Sequence, residues 1–301
     1  MKFRAFTLVE LLVVIVIISM LVALIVPAVI SSRDRARIAQ CMNNQHELSI
    51  AISSYDLAKK CLPGVLNVNH DTIIGWPPTL LPFIGREDLW KDIVKDDNEV
   101  IIQQGWRYGY NINTTPTPKI NIFVCPNDND ISVDCPLSYV VNLGLYNANP
   151  NNTFHQNGQT GSVIIPGLFR DCSNNINNKI SLSSISSPST TVILGEKIIT
   201  MVSQPGDYIP ATPPIGRQWI DTDYLKLGFS WPNYPAINPK PEPEDVLRFA
   251  QIGQHFLIPP ASVKYWAPLP STHPGIVIIT FADGHTDIVS NDVSCEVYKA
   301  L

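Results

Sequence analysis

The chain has 301 residues, of which 16% are charged, and its formal net charge is −5. Residues 1–60 hold seven Lys or Arg against four Asp or Glu, a balance of +3, whereas the remaining residues hold 14 against 22, a balance of −8. A basic first part and an acidic remainder are typical of a membrane-anchored protein with an exported domain. The acidic, proline-rich remainder argues against nucleic acid as a partner.

The first 30 residues contain a long apolar segment. Residues 11–30 carry no charge and are interrupted only by Ser19 and Pro27. About 20 residues of α-helix span about 30 Å, the thickness of the hydrocarbon core of a bilayer. The segment therefore predicts a membrane-spanning helix. Glu10 stands at its edge, and a carboxylate at membrane depth needs a partner because its burial there is costly.

The sequence RAFTLVELLVVIVII resembles the N-terminus of type IV prepilins and type II secretion pseudopilins. The resemblance implies a leader of residues 1–5, cleavage by a prepilin peptidase between Ala5 and Phe6, and N-methylation of Phe6. It also implies that the Glu10 carboxylate pairs with the amino terminus of a neighbouring subunit. Ala5 stands where these families usually have Gly. A cleaved secretory signal would have a shorter apolar region with the cleavage site after it, and an ordinary signal anchor would not explain FTLVE.

Beyond the apolar segment, hydrophobic residues recur at steps of three and four, which predicts that the helix continues over residues 6–60 with one apolar face. The residues of this face are Ile38, Cys41, Met42, Leu48, Ile52 and Tyr55. Pro63-Gly64 ends the helix, and Pro27 is expected to bend it. A membrane span followed by a separate helix is the alternative.

Residues 61–301 are predicted to form a strand-rich, extracytoplasmic domain. Short apolar runs bounded by turn residues predict strands at 73–74, 120–124, 163–165 and 192–194, and residues 86–94 favour a short helix. Residues 200–270 are interpreted as a loop-rich insertion on composition. Near the C-terminus, Asp283-Gly284 between two β-branched runs predicts a hairpin over 276–290.

A two-residue type I′ turn in this hairpin would pair Phe281 with Thr286 and Ile279 with Ile288. Ile288 would then share one face of the hairpin with Val277, Ile279 and Phe281, and that face is expected to point into the core.

Six cysteines are present, and export would expose them to an oxidising compartment, where an even number suggests disulfides. The sequence alone leaves the connectivity open. Cys125 and Cys135 are the first candidate pair because they are close in sequence and flank turn residues, and Cys41 with Cys61 is the second. No CxxC pair occurs, so no zinc cluster is expected.

The spacing His273-x9-Asp283-Gly284 resembles the C-terminal signature of a pilin-like family of unknown function, DUF1559, known mainly from planctomycetes and related bacteria. Four further segments are similar to that family, namely ARIAQCMNNQHELSIAISSYDLAKKCLPG, GWPPTLLPFIGREDLW, FVCPNDND and ISSPSTTVILGEK. Residues 200–270 show no such similarity. The resemblance implies a fold and an export route, and it implies no chemistry.

No catalytic residues are predicted. Ten residues of strand span about 33 Å, so His273 and Asp283 cannot form a dyad within one strand. His273 is interpreted as a residue at the start of a strand and His285 as a surface residue. Asp128, Asp130 and Asp134 are weak calcium candidates, and a solvated acidic loop is the preferred interpretation. No cofactor is expected.

Together these features predict an α+β, pilin-like fold, in which a long N-terminal helix with a membrane-spanning first half packs on an exported domain rich in antiparallel sheet. The expected function is that of a structural subunit, major or minor, of a type IV pilus-like or type II secretion pseudopilus-like filament. The expected partners are a prepilin peptidase and other pilin-like subunits, and the expected location is the inner membrane with the domain in the periplasm or at the cell surface. The alternative is a membrane-tethered binding module or enzyme that uses the helix only as an anchor.

Overall fold

The computed structural model describes residues 8–69, 72–94, 102–103, 106–107, 118–128, 136–146, 163–170, 172, 179–196, 228–232, 273 and 275–290. The chain divides into two compact units, Met1–Gln40 and Cys41–Leu301. The division falls within the first helix, 20 residues before the boundary at 60 that the sequence suggests.

The first helix, α1, extends over Leu8–Lys59 as a single element and passes through Pro27 without interruption. The alternative, a membrane span followed by a separate helix, is therefore wrong. In the first unit its apolar side chains are exposed on every side, from Leu8 at 78% to Val14 at 44%. By length and composition α1 can cross a membrane.

In the second unit, the remainder of α1 buries one face against the domain. The buried positions recur at steps of three and four, as a docked helix requires, and they are Cys41, Asn44, Gln45, Leu48, Ser49, Ala51, Ile52, Tyr55 and Asp56. The helix ends where Lys60 adopts a left-handed φ of 58° and donates its N–H to the Asp56 carbonyl at 2.7 Å. Of the six residues that the sequence assigns to the apolar face, Cys41, Leu48, Ile52 and Tyr55 are buried, whereas Ile38 and Met42 are half-buried.

Short elements follow the helix. Strands β1 (Leu66–Asn69) and β2 (Thr72–Gly75) form an antiparallel hairpin, and β3 (Ile102–Gln103) pairs with β4 (Trp106–Arg107). Helices α2 (Trp76–Thr79) and α3 (Glu87–Val94) lie between these pairs, with a 3₁₀ turn at Leu81–Ile84. Further 3₁₀ turns occupy Asn121–Phe123 and Leu182–Ser184. The prediction of a strand at residues 120–124 is therefore wrong. The prediction of a short helix at residues 86–94 is confirmed by α3.

Within the described part of the chain, the main sheet has six strands: β5 (Tyr139–Tyr146), β6 (Val163–Pro166), β7 (Val192–Glu196), β8 (Gly228–Pro232), β9 (Ile276–Phe281) and β10 (Thr286–Ser290). Their order is β10-β9-β7-β5-β6 with antiparallel pairing, and β8 pairs parallel with β5. Strand β8 is the described part of the predicted insertion at 200–270. The fold is α+β, as the sequence predicts.

Strand β5 is the longest of the described strands that sequence patterning did not predict. Its sequence YVVNLGLY contains Asn142 and Gly144, which read as turn residues. The sheet accommodates them because Gly144 takes a φ of 87° and the pairing with β6 shifts register between Leu145 and Tyr146. A glycine within a strand therefore marks an irregularity of the ladder here, and not the end of the strand.

The turn between β9 and β10 differs from the expected type I′ turn. The Phe281 carbonyl accepts the Gly284 N–H at 2.9 Å, and the Phe281 N–H donates to the His285 carbonyl at 2.9 Å. Gly284 has a φ of 91°, and Asp283 is not among the described residues with positive φ, so this is a three-residue loop with a glycine bulge.

The longer loop shifts the hairpin register by one residue. Thr286 pairs with Thr280 and Ile288 with Ile278, so the expected pairs of Phe281 with Thr286 and Ile279 with Ile288 are wrong. Ile288 consequently shares a face with Ile278 and remains 39% exposed, outside the core face that the sequence assigned to it.

Hydrogen bonds from α1 fix the helix to β9. The Gln45 side chain donates Nε2–H to the Ile278 carbonyl at 2.9 Å and accepts the Thr280 hydroxyl at 2.9 Å through Oε1. All five residues from Val277 to Phe281 are buried, as expected for a strand covered on both faces. The helix is therefore docked by a specific polar contact as well as by its apolar stripe.

Candidate functional site

Four polar side chains from separate elements meet in the interior of the second unit. Cys41 lies on α1, Cys125 follows the 3₁₀ turn at Asn121–Phe123, Glu196 ends β7, and His273 precedes β9. All four residues are at most 1% exposed. Their ligand-type atoms lie within 4.8 Å of one another. We refer to these four residues as the buried cluster.

Cys41 and Cys125 form a disulfide with a Cα–Cα separation of 5.4 Å. The expected pairs Cys125–Cys135 and Cys41–Cys61 are therefore wrong. Cys61 instead donates its thiol to the Lys59 carbonyl at 3.5 Å, and Cys135 lies outside the described residues. The physical reason is the docking of α1, which places Cys41 beside a segment 84 residues further along the chain.

Asn44, one turn after Cys41, secures that docking. Its Nδ2 atom donates to the Val124 carbonyl at 3.0 Å and to the Asn121 carbonyl at 3.3 Å, and it lies 3.3 Å from the Tyr139 hydroxyl. These contacts hold the chain just before Cys125 against the helix. The position of Cys125 therefore depends on a tertiary contact and not on its neighbours in sequence.

His273 points its Nε2 atom at the three other members of the buried cluster. Nε2 lies 3.2 Å from Sγ of Cys41, 3.3 Å from Sγ of Cys125 and 3.4 Å from Oε1 of Glu196. The other ring nitrogen, Nδ1, lies 3.4 Å from Nδ2 of Asn127. His273 does stand just before a strand, but its full burial beside sulfur and carboxylate was not foreseen.

Glu196 is positioned by the strands on either side of it. It pairs with Tyr139 across the β5–β7 ladder, and its Oε2 atom accepts the Ile278 N–H of β9 at 3.4 Å. Burial, and after it the negative charge of Glu196, raises the pKa of Tyr139 well above its usual value. The interior around the cluster thus strongly disfavours further negative charge.

Asp128, one of the calcium candidates, makes hydrogen bonds to two neighbouring segments. Its Oδ2 atom accepts the Ser138 hydroxyl at 2.6 Å, and its N–H donates to the Cys125 carbonyl at 2.9 Å. Asp128 thereby ties the Cys125 turn to the start of β5. Asp130 and Asp134 lie outside the described residues, so calcium binding there stays a prediction.

The remaining residues singled out by the sequence lie elsewhere. Ala5 and Phe6 are outside the described residues, and Glu10 lies in the first turn of α1. Asp283 contacts His285 across the β-turn, and the rings of His285 and Phe281 stack with centroids 4.2 Å apart. His285 is exposed, as predicted, and His273 and Asp283 do not form a pair.

The chemistry available to the buried cluster follows from its donor atoms. Two sulfurs, one imidazole nitrogen and one carboxylate oxygen converge on one point, and this is a ligand set that binds transition metals such as zinc. In the disulfide form the cluster combines a covalent cross-link with a buried histidine–carboxylate pair. Because each residue is at most 1% exposed, a substrate in solution does not reach the cluster in this conformation.

A signal for the cluster was present in the sequence. Its members lie in four separate segments that resemble the same family: the helix after the apolar run, the Cys-Pro element, the strand ending in Glu196 and the His-x9-Asp-Gly signature. The segments are far apart in the chain, so nothing in the sequence itself states that they meet. Their convergence is supplied by the fold.

An apolar N-terminal helix that can span a membrane, followed by an α+β domain on which its second half is docked, defines a membrane-anchored, pilin-like protein. Residues 1–26 match the prokaryotic N-terminal methylation motif. The chain belongs to the family described as proteins of unknown function, DUF1559, whose family model matches residues 31–295. No curated protein and no solved structure matches the chain.

Proposed function

We propose that the protein is a structural subunit of a type IV pilus-like or type II secretion pseudopilus-like filament, matured by a prepilin peptidase. The observation that carries the proposal is the apolar surface of the first unit. Between residues 8 and 30, eighteen large apolar side chains are 44–78% exposed around the whole helix. Covering a side chain of this kind contributes about 1.5–3 kcal/mol, so the segment has a strong tendency to leave water.

Two environments satisfy such a helix, the lipid bilayer before assembly and the matching helices of other copies after it. A helix that is apolar all round has no face suited to water. A subunit that moves from membrane to filament needs this property at both stages. The methylation motif at residues 1–26 supports the same route.

Glu10 favours a filament over a plain anchor. A charged side chain at the centre of a membrane-spanning helix costs about 2.5–3.5 kcal/mol on insertion scales, and less at the edge, where Glu10 lies. A plain anchor gains nothing from either cost. Cleavage between Ala5 and Phe6 would create a new, positively charged amino group in an equally apolar setting. Pairing this amino group with Glu10 of a neighbouring copy would relieve both charges and set the axial register between subunits.

The disulfide favours export of the second unit. Disulfides persist in oxidising compartments and are rare in the cytosol. The Cys41–Cys125 bond begins at the first residue of the second unit. We therefore assign the second unit to the periplasm or the cell surface, with α1 anchored in the inner membrane before assembly.

The deciding experiment compares Glu10→Val with Ser19→Val. Ser19 lies in the same apolar segment, and its hydroxyl donates to the Ile15 and Val16 carbonyls of its own helix. Tagged wild-type and variant chains are expressed together, filaments are sheared from the cells, and the copies in the filament fraction are counted. We expect the Ser19 variant to enter filaments and the Glu10 variant to stay in the membrane, with normal insertion and leader removal.

Intact-mass measurement of the purified chain tests maturation separately. The expected mature chain begins at Phe6 and carries one methyl group. A mature terminus beyond residue 28 would indicate signal peptidase and would reject the proposal. Wild-type copies that never associate, despite correct maturation, would favour the tethered binding module or enzyme.

A further inference from the structure

We propose that Cys41, Cys125, Glu196 and His273 form a Zn²⁺ site that is loaded when the Cys41–Cys125 disulfide is reduced. The disulfide and the zinc complex would be two exclusive states of the same buried cluster. Both states involve the interior of the second unit alone, and neither requires that the protein form a filament.

Distances support a tetrahedral site. Zinc binds Cys sulfur at about 2.3 Å and His nitrogen or carboxylate oxygen at about 2.0–2.2 Å, so tetrahedral ligands lie about 3.3–3.8 Å apart. Nε2 of His273 lies 3.2 and 3.3 Å from the two Sγ atoms and 3.4 Å from Oε1 of Glu196. The separations of the imidazole nitrogen from the other three donor atoms are therefore already close to those between ligands of one tetrahedral zinc.

The two sulfurs need only a small movement. Bonded sulfurs are about 2.05 Å apart, and two thiolates on one zinc are about 3.8 Å apart, so each sulfur retreats by about 1 Å. Rotation about the Cα–Cβ bonds supplies this movement. The backbones are held by other contacts, since Asn44 fixes the segment before Cys125 and Asp128 fixes the turn after it.

The side chains next to the disulfide are the main reason to interpret the buried cluster as a metal site and not as a purely structural cross-link. A disulfide carries no charge and packs well among apolar side chains. Here it is surrounded by a histidine and a glutamate, each with a side chain 2% exposed. Burying such groups is costly, and a bound dication offsets that cost by taking both as ligands.

The polar atoms of Glu196 and His273 that would not bind the metal also have neighbours that could orient the two side chains. Metal-bound carboxylates and histidines usually make a hydrogen bond with their other polar atom, which orients them. Oε2 of Glu196 accepts the Ile278 N–H, and Nδ1 of His273 faces the Asn127 amide at 3.4 Å. The atom of that amide nearest the ring is the donor Nδ2, and a 180° rotation of the amide would bring Oδ1 there instead. Nδ1–H would then donate to Oδ1, and Nε2 would present its lone pair to the metal.

The chemical step balances with a phosphine reductant. The phosphine gives two electrons to the disulfide and becomes a phosphine oxide, taking its oxygen from water. The two protons of that water go to the sulfurs. Binding of Zn²⁺ then releases both thiol protons to solvent and leaves two thiolate–zinc bonds.

The test uses the full chain in detergent, in oxidised and in phosphine-reduced form. Each sample is incubated with Zn²⁺, passed through a desalting column and assayed for zinc by elemental mass spectrometry. We expect about one zinc per reduced chain and almost none per oxidised chain. Co²⁺ in place of Zn²⁺ should give thiolate-to-metal charge-transfer bands and tetrahedral d–d bands in the reduced sample alone.

Variants identify the ligands. Changes to outer hydrogen-bonding partners alone lower metal affinity about 10–100-fold, so Glu196→Gln and His273→Gln should weaken zinc binding by at least about 10-fold. The matched control is Cys61→Ser with Cys172→Ser, which removes two cysteines outside the cluster and should leave zinc content unchanged.

Thiol mapping on the wild type covers the case in which variants do not fold. Zinc should slow the alkylation of Cys41 and Cys125 in the reduced chain and leave that of Cys61 unchanged. Reduced wild type that melts cooperatively but retains no zinc would overturn the proposal. Zinc retained in full by the Cys41→Ser, Cys125→Ser double variant would overturn it as well.

Discussion

Nε2 of His273 lies 3.4 Å from Oε1 of Glu196, and the two side chains are each 2% exposed. The residues are 77 positions apart in the chain, one at the end of β7 and the other ahead of β9. Adjacent strands of one sheet bring them together, since β7 and β9 are hydrogen-bonded neighbours. The contact between the two residues therefore depends on the pairing of β7 with β9.

The first prediction concerns this pair in the oxidised, metal-free protein. Removing one partner of a buried polar pair leaves the other group without its compensation, which costs about 1–3 kcal/mol. Glu196→Leu and His273→Leu should each lower the free energy of unfolding by about that amount. The double variant should lose less than the sum of the two, which denaturant melts of all four proteins would measure. Strictly additive losses would mean that the two residues are energetically independent.

The second prediction concerns the disulfide. Peptide mapping without reduction should recover a linked Cys41–Cys125 peptide. A cross-link that closes a loop of 84 residues stabilises the fold by about 4–5 kcal/mol through the entropy of the unfolded chain. Cys41→Ser with Cys125→Ser should lose that stability under oxidising conditions, whereas Cys61→Ser should not. A linked Cys125–Cys135 peptide would contradict the described pairing.

The third prediction concerns the docking of α1. Asn44→Ala leaves the buried Val124 carbonyl without its donor, which costs about 1–3 kcal/mol. The neighbouring Asn43 is the matched control because it is exposed and its amide donates to Glu47 on the same helix. Asn43→Ala should change stability by less than about 0.5 kcal/mol. Thermal melts of the two variants side by side measure the difference, and equal losses would show that Asn44 does not anchor the helix.

The fourth prediction concerns the turn between β9 and β10. Burial opposes ionisation of Asp283, but hydrogen bonds from the His285 backbone and side chain outweigh it and lower the pKa of Asp283. A lowered folded-state pKa stabilises the fold above the unfolded value of about 3.9, and this stabilisation is lost as the pH falls through the folded value.

Asp283→Asn should therefore be less stable than wild type near neutral pH, by less than about 1 kcal/mol because the group is partly exposed. The difference should disappear in acid. Denaturant midpoints of both proteins between pH 7 and pH 2 measure it. A gap that persists unchanged at pH 2 would assign the effect to turn geometry and not to charge.

The elements that sequence patterning predicts correctly rest on local physical rules. The apolar run fixes a membrane-compatible helix because about 20 residues match a bilayer, and three- and four-residue steps mark the face that α1 buries. The dipeptide Asp283-Gly284 fixes a turn because glycine readily takes a positive φ. The same dipeptide did not fix the register, since both a two-residue and a three-residue loop accept it.

What only the tertiary structure decided is the set of contacts between distant segments. Proximity in sequence favoured Cys135 as the partner of Cys125, but the docking of α1 brought Cys41 to it across 84 residues. His273 and Glu196 likewise become neighbours only because β9 lies beside β7. Loop closure costs grow slowly with length, so packing of the helix and sheet outweighs sequence distance in choosing partners. The sequence by itself determined the membrane helix, the α+β class and the prepilin-like start, and the fold alone determined the buried cluster.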